Sequence, residues 1–330
     1  MKDYLLGRAL LTLPLLWVVF TAVFALVNLI PGDPVDFMIG ENAALESRSQ
    51  LRQQLHLDKP ILLNLKPWSA QASKAGLTQR LRETLLETRY SYFFKDLARG
   101  DLRSLHSREP VFARLQGKFV FTLLLAGSAL LVAMMIAIPL GTLAAWRQHS
   151  WLDSASMLGA LVGISMPNFW LGPLLIMLFS IELGWLPVSG ARGPSSLVLP
   201  AITLGLGMSA ILTRITRASV LDVLGEDYLR TARSKGLSEL KVLARHALRC
   251  AMIPIITILG LQFGALLAGS IITEEIFAWP GLGRELLQAI RSRDVPILQG
   301  CVLLISLSYL LVNTATDLLY THLNPRLQLK

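Results

Sequence analysis

The sequence predicts an all-α membrane protein of six transmembrane helices, and three observations carry that expectation. Hydrophobic residues make up 53% of the 330 and charged residues only 16%, with a mean hydropathy of +0.54, too apolar for an ordinary soluble domain. Six uncharged stretches reach the ~20 residues that a helix needs to cross a hydrocarbon core of ~30 Å. The net charge of +9 gathers in the segments between those stretches, a distribution that fits loops facing lipid headgroups better than a nucleic-acid surface.

In chain order the expected spans are Ala9–Ile30, Phe119–Trp146, Ser154–Ile181, Gly193–Thr213, Cys250–Thr273 and Val295–Thr316. The first has too long an apolar run for a signal peptide and lacks a small-residue cleavage pattern before Pro31-Gly32-Asp33-Pro34, so it is expected to stay as an anchor. Four spans carry helix breakers or small residues inside: Pro139 and Gly141; Pro167 and Pro173; Pro200, Gly205 and Gly207; Gly260, Gly264 and Gly269. Each alone reads as ordinary close packing, and together they favour a bundle that moves. No Asp, Glu, Lys, Arg or His lies in the span interiors, Asp317 falling at the inner end of the last. An ion path or proton relay therefore loses support.

Lys and Arg in the short loops set the orientation. With the N-terminus inside, thirteen basic residues face the cytoplasm: Lys2, Arg8, Arg147, Arg214, Arg217, Arg230, Arg233, Lys235, Lys241, Arg245, Arg249, Arg326 and Lys330. The short outer loops hold four: Arg192, Arg284, Arg291 and Arg293. The expected organisation is a cytoplasmic tip and first helix over 1–30, an extracytoplasmic segment over 31–118, a helical core over 119–322 with a cytoplasmic loop at 218–253, and a cytoplasmic tail at 323–330.

That inner loop carries the most specific pattern. Asp227 can cap a short helix through Tyr228–Lys235, and Gly236 suits the left-handed position that ends it. Ser238 can cap a second helix, with Glu239 complementing its dipole. There Leu240, Leu243, Ala244, Ala247 and Leu248 recur at helical spacing, while Lys241, Arg245 and Arg249 repeat on another face. A basic loop resting on anionic lipid accounts for the charge. It does not account for the glycine turn, which suits a rigid knob for a cytoplasmic partner.

Arg230-Thr231-Ala232, Gly236, Leu237-Ser238 and Arg245-His246-Ala247-Leu248-Arg249 before Pro254 resemble the ATPase-docking loop of binding-protein-dependent ABC importer permeases, in their dipeptide/oligopeptide/nickel branch. Ile30-Pro31-Gly32-Asp33-Pro34, Leu55-His56-Leu57-Asp58-Lys59-Pro60, Gly100-Asp101-Leu102, Pro110-Val111, Gly184-Trp185-Leu186-Pro187, Phe277 through Arg284 and Asn324-Pro325-Arg326 are also similar to that family. Two departures stand out: extra length over roughly residues 63–90, and Arg103 where the family usually has glycine.

The resemblance implies a type I ABC importer permease fold. It also implies a second, related permease subunit, two cytoplasmic ATPase subunits that use ATP and Mg2+, and an extracytoplasmic substrate-binding protein. Peptides are the commonest cargo of the branch, with nickel and oligosaccharides as alternatives. No cofactor, metal or catalytic residue is expected in this chain: it has no G-x-x-x-x-G-K-[ST] run, and its histidines and two cysteines lack ligand or disulfide spacing. The coupling residues implied are Tyr228, Arg230, Thr231, Ala232, Lys235, Gly236, Leu237, Ser238, Arg245 and His246. Trp279, Pro280, Gly281, Leu282, Gly283 and Arg284, a turn opening a short amphipathic helix, suit an outer gate or a binding-protein contact, and equally a plain interfacial helix with Trp279 at the headgroups. Two other classes share the composition, an ion-coupled secondary transporter and a membrane scaffold.

Overall fold

The computed structural model describes residues 14–25, 35, 49–50, 52–53, 58–61 and 87–323, with side chains through 319. The Ile30–Pro34 and Leu55–Leu57 stretches, most of the extra outer stretch at 63–90, both termini and Asn324-Pro325-Arg326 lie outside the described residues.

Every regular element among the described residues is helical. In chain order these are α1 (Pro14–Ala25), α2 (Arg89–Arg99), α3 (Val111–Trp146), α4 (Trp151–Ser165), α5 (Asn168–Glu182), α6 (Ser195–Leu224), α7 (Asp227–Ser234), α8 (Glu239–Gly269), α9 (Ile271–Ile276), α10 (Leu282–Ser292) and α11 (Val295–Leu323). Four of them, α3, α6, α8 and α11, are each long and apolar enough to cross a membrane. Helix α1 falls within the expected first span, whose ends lie outside the described residues.

The expected third span is not one straight helix. Helices α4 and α5 together pass as a span but are bent by 99°. The cause is local: Pro167 forbids Met166 the helical region, and both residues are extended, with ψ of 113° and 138°. The expected fifth span also ends early, because α8 stops at Gly269 and a separate helix, α9, follows. Pro139, Pro200 and Pro254 sit inside α3, α6 and α8 without dividing them.

The chain forms two compact units. Among the described residues, one comprises 118–284 and 305–323, the other those of 14–61 together with 87–117 and 285–304. In the first, a buried cluster joins α3 (Ala133, Ala137, Ala145), α6 (Leu212, Val220), α7 (Leu229, Ala232) and α8 (Val242, Leu243, Ala247, Ala251, Ile255, Leu259). A second gathers Leu125, Ala126 and Ala129 with Leu204, Leu266, Leu267 and Trp279. The span glycines let these helices approach closely. A Cβ on Gly141 would come within 2.7 Å of the Thr213 carbonyl, and one on Gly205 within 2.8 Å of the Ala129 carbonyl.

In the second unit, Phe20 and Phe24 of α1 pack against Tyr90 and Phe93 of α2, with Thr21 Oγ1 3.0 Å from the Tyr90 hydroxyl. Thr88 caps α2 reciprocally with Ser91, and Gly100 closes it at φ 71°. The buried Asp294 accepts hydrogen bonds from Ser104 Oγ and the Leu105 amide. The buried Glu285 accepts one from Arg114 Nε at 2.6 Å. Arg103, the departure from the family glycine, is exposed and lies 3.5 Å from Asp101.

Candidate functional site

The inner knob is built as the spacing requires, with corrections to its caps. Helix α7 begins after Glu226, not by an Asp227 cap, and ends in a Schellman turn. The Gly236 amide donates to the Arg233 carbonyl (2.9 Å) and the Leu237 amide to the Ala232 carbonyl (3.4 Å). Gly236 has φ +77°, and a Cβ there would meet nothing within 4 Å, so glycine is required for backbone conformation and not for space. Ser238 occupies the cap position of α8 but its hydroxyl makes no cap hydrogen bond. Glu239 instead accepts from Arg233 Nε at 2.9 Å, bracing the two helices across the turn.

Leu229 is the anchor that the spacing did not single out, fully buried together with Val242 and Ala247. Ala232 also faces inward, while Leu237 and His246 are half-buried. Tyr228, Arg230, Thr231, Lys235, Gly236, Ser238 and Arg245 are exposed together on the outside of the knob. Lys241 and Arg249 are exposed as well. The expected apolar face is only partly right: Leu240 is 73% exposed and Ala244 is also outside. Leu243 and Ala247 are buried as the spacing expects, but the stretch Val242–Ala247 is π-helical, and its wider turn brings Val242 inward beside Ala247, which α-helical spacing misses.

The outer turn is a closed structure. Trp279 is 3% exposed; its indole N–H donates to the Phe121 carbonyl (2.9 Å) and its ring meets Phe121 edge-on. It is therefore a core residue and not an anchor at the headgroups. Gly281, Leu282 and Gly283 are buried, and Pro280 and Arg284 are half-buried. They wrap Glu274, an acid immediately beyond the expected fifth span that sequence reasoning passed over. Its carboxylate accepts from Thr122 Oγ1 (2.8 Å), Ser270 Oγ (2.9 Å) and the Arg284 amide (3.0 Å). Thr122 Oγ1 in turn accepts from the Leu282 amide (2.8 Å). A Cβ on Gly281 would overlap this carboxylate, and one on Gly283 would lie 2.7 Å from Ile271 Cα. Burial pushes the Glu274 carboxyl above the ordinary carboxylate range, against the opposing hydrogen bonds.

A second unforeseen acid stands at the start of α4. Both oxygens of the buried Asp153 are held by Arg217 of α6, Nε to Oδ1 at 2.6 Å and Nη2 to Oδ2 at 2.7 Å. The His149 amide adds a bond at 3.1 Å. One signal in the sequence was available: Asp153 and Arg217 lie close to the ends of two expected spans, with opposite signs.

The family model for the inner membrane component of binding-protein-dependent transport systems matches residues 137–329. The chain is 40% identical over 331 aligned positions, covering 100% of both sequences, to the glutathione transport system permease protein GsiC of Escherichia coli strain K12. The proteins of the same name from Shigella dysenteriae serotype 1 and Salmonella choleraesuis strain SC-B67 match at the same identity and coverage. Among solved structures, the MetNI methionine ABC transporter in an inward facing conformation superposes with a TM-score of 0.55 at 16% identity, over 65% of this chain and 98% of that one. At that identity the likeness speaks for the fold alone, a type I importer permease. The chain belongs to the binding-protein-dependent transport system inner membrane component family, as a multi-pass permease subunit of an ABC importer.

Proposed function

We propose that this chain forms half of the translocation pathway of an ATP-driven importer for short peptides, with the α7–α8 knob seated on a cytoplasmic ATPase. The full-length match to permeases named for glutathione, itself a tripeptide, carries the substrate class. The exposed knob closed by Gly236 supports the docking role: seven polar, glycine or aromatic positions face outward on a base fixed by Leu229, Val242 and Ala247. In this reading both termini are cytoplasmic and ATP and Mg2+ bind the partner ATPases. A second, related permease completes the pathway, and an external binding protein delivers the substrate. The outer turn at Trp279–Arg284 serves as a gate element, a reading supported by the burial of Trp279 and Leu282, with Pro280 and Arg284 half-buried at its surface.

The test is uptake by the assembled complex in vesicles. Labelled glutathione, a dipeptide, a pentapeptide and Ni2+ are offered with a binding protein, with and without internal ATP. Peptide uptake that needs both ATP and the binding protein is expected. Uptake of Ni2+ alone would overturn the substrate class, and peptide uptake persisting without ATP would revive the ion-coupled alternative.

A further inference from the structure

Helix α6 delivers the chain to the knob: it ends at Leu224, and α7 starts at Asp227. Arg217 lies two turns before that end. Its fork to Asp153 ties α6 to the first turn of α4, with both carboxylate oxygens engaged at 2.6 and 2.7 Å. Farther along, small residues let α4 and α6 approach closely. Ala160 is buried, and a Cβ on Gly163 would lie 3.3 Å from Ala210 Cβ and 3.4 Å from the Leu206 carbonyl. Such a smooth seam fixes how closely two helices approach yet resists axial sliding weakly. A bidentate guanidinium–carboxylate pair does the opposite, since a shift of even part of a helical turn breaks its geometry.

Beyond Pro167, α4 continues into α5, and Gly172 of α5 backs onto Phe277, where a Cβ would lie 3.2 Å from the ring. Phe277 opens the turn that wraps Glu274, and its carbonyl accepts from the Gly190 amide at 2.8 Å. A continuous series of contacts thus runs from the knob through α6, the ion pair, α4 and α5 to the outer turn.

We propose that Arg217 and Asp153 are a positioning pair that makes the bent α4–α5 segment follow α6, so that displacement of the knob reaches the outer turn. The proposal rests on the reading of α7–α8 as the ATPase-docking element. Adjacency alone does not establish coupling, so the test is a cycle of variants with a readout of movement. In a Cys250→Ser/Cys301→Ser background, Ile181→Cys, on the exposed side of α5, is labelled with a thiol reagent in the complex with its ATPases, before and after trapping with ATP and vanadate.

The parent is expected to change its labelling rate on trapping. Asp153→Asn and Arg217→Lys should keep ATPase copurification and ATP hydrolysis within about twofold, while the change at Ile181→Cys falls at least fivefold. The exchange Asp153→Arg/Arg217→Asp should restore most of it. An undiminished change in the assembled fraction of Asp153→Asn would leave the pair a purely structural contact and overturn the proposal, as would no change in the parent. Absence of ATPase copurification with the parent would instead overturn the docking reading, and the proposed role with it.

Discussion

At the scale of single residues, backbone geometry separates what is replaceable from what is not. Gly236 has open space around it but a left-handed φ, so Gly236→Val should add about 1–3 kcal/mol of local strain. Gly236→Asn, whose side chain tolerates that region, should be nearly silent. Substrate-stimulated ATP hydrolysis and uptake, each normalised to membrane expression, should fall together in the first variant and persist in the second. Glu274 offers a pH test. Its folded carboxyl titrates above its unfolded value, so its contribution to stability is full below the unfolded value and is lost as pH rises through the folded one. Glu274→Gln should flatten that part of the Tm-against-pH curve. It should also cost about 1–3 kcal/mol, because its amide faces donors on at least one side. The Gly236 turn was legible in the sequence since only a left-handed stop explains a lone glycine between two helical patterns. Glu274 and Asp153 were less so, because each takes a decisive partner from far along the chain, Thr122 and Arg217 respectively.

At the scale of elements, the spans show what hydropathy can and cannot decide. Apolar length located one end of each of α3, α6, α8 and α11 within about a turn, at Trp146, Ser195, Gly269 and Val295. It missed how far α6 and α8 run on into the polar loop, since a helix continues wherever its backbone bonds and packing allow, whatever the solvent. It also missed the bend between α4 and α5, which hangs on the restriction Pro167 places on Met166. In the knob, Lys241, Arg245 and Arg249 are exposed and sit one helical turn apart. Replacing all three by Gln should weaken ATPase copurification, with the loss greatest at low salt, as expected when charges guide docking. Unchanged copurification at both low and physiological salt would return the basic face to the lipid.

At the scale of the whole molecule, the positive-inside count predicts a cytoplasmic knob and cytoplasmic termini. A cysteine-free background carrying Ser107→Cys, an exposed position before α3, should label from outside in intact cells. Ser238→Cys should label only after the inner face is opened, and the reverse pattern would invert the topology. One feature of the inner loop bears on how such permeases can be recombined. The π-helical Val242–Ala247 holds one residue more than an α-helix would use over the same rise. Deleting a single residue there would let the helix close up in regular α-form. Because the wide turn already absorbs the extra residue, the helix on either side would keep nearly its present rotation and rise. Chimeras that exchange knobs between relatives should therefore tolerate a junction one residue short within 242–247, whereas the same loss within the α-helical Leu248–Gly269 would turn every docking side chain by about 100°.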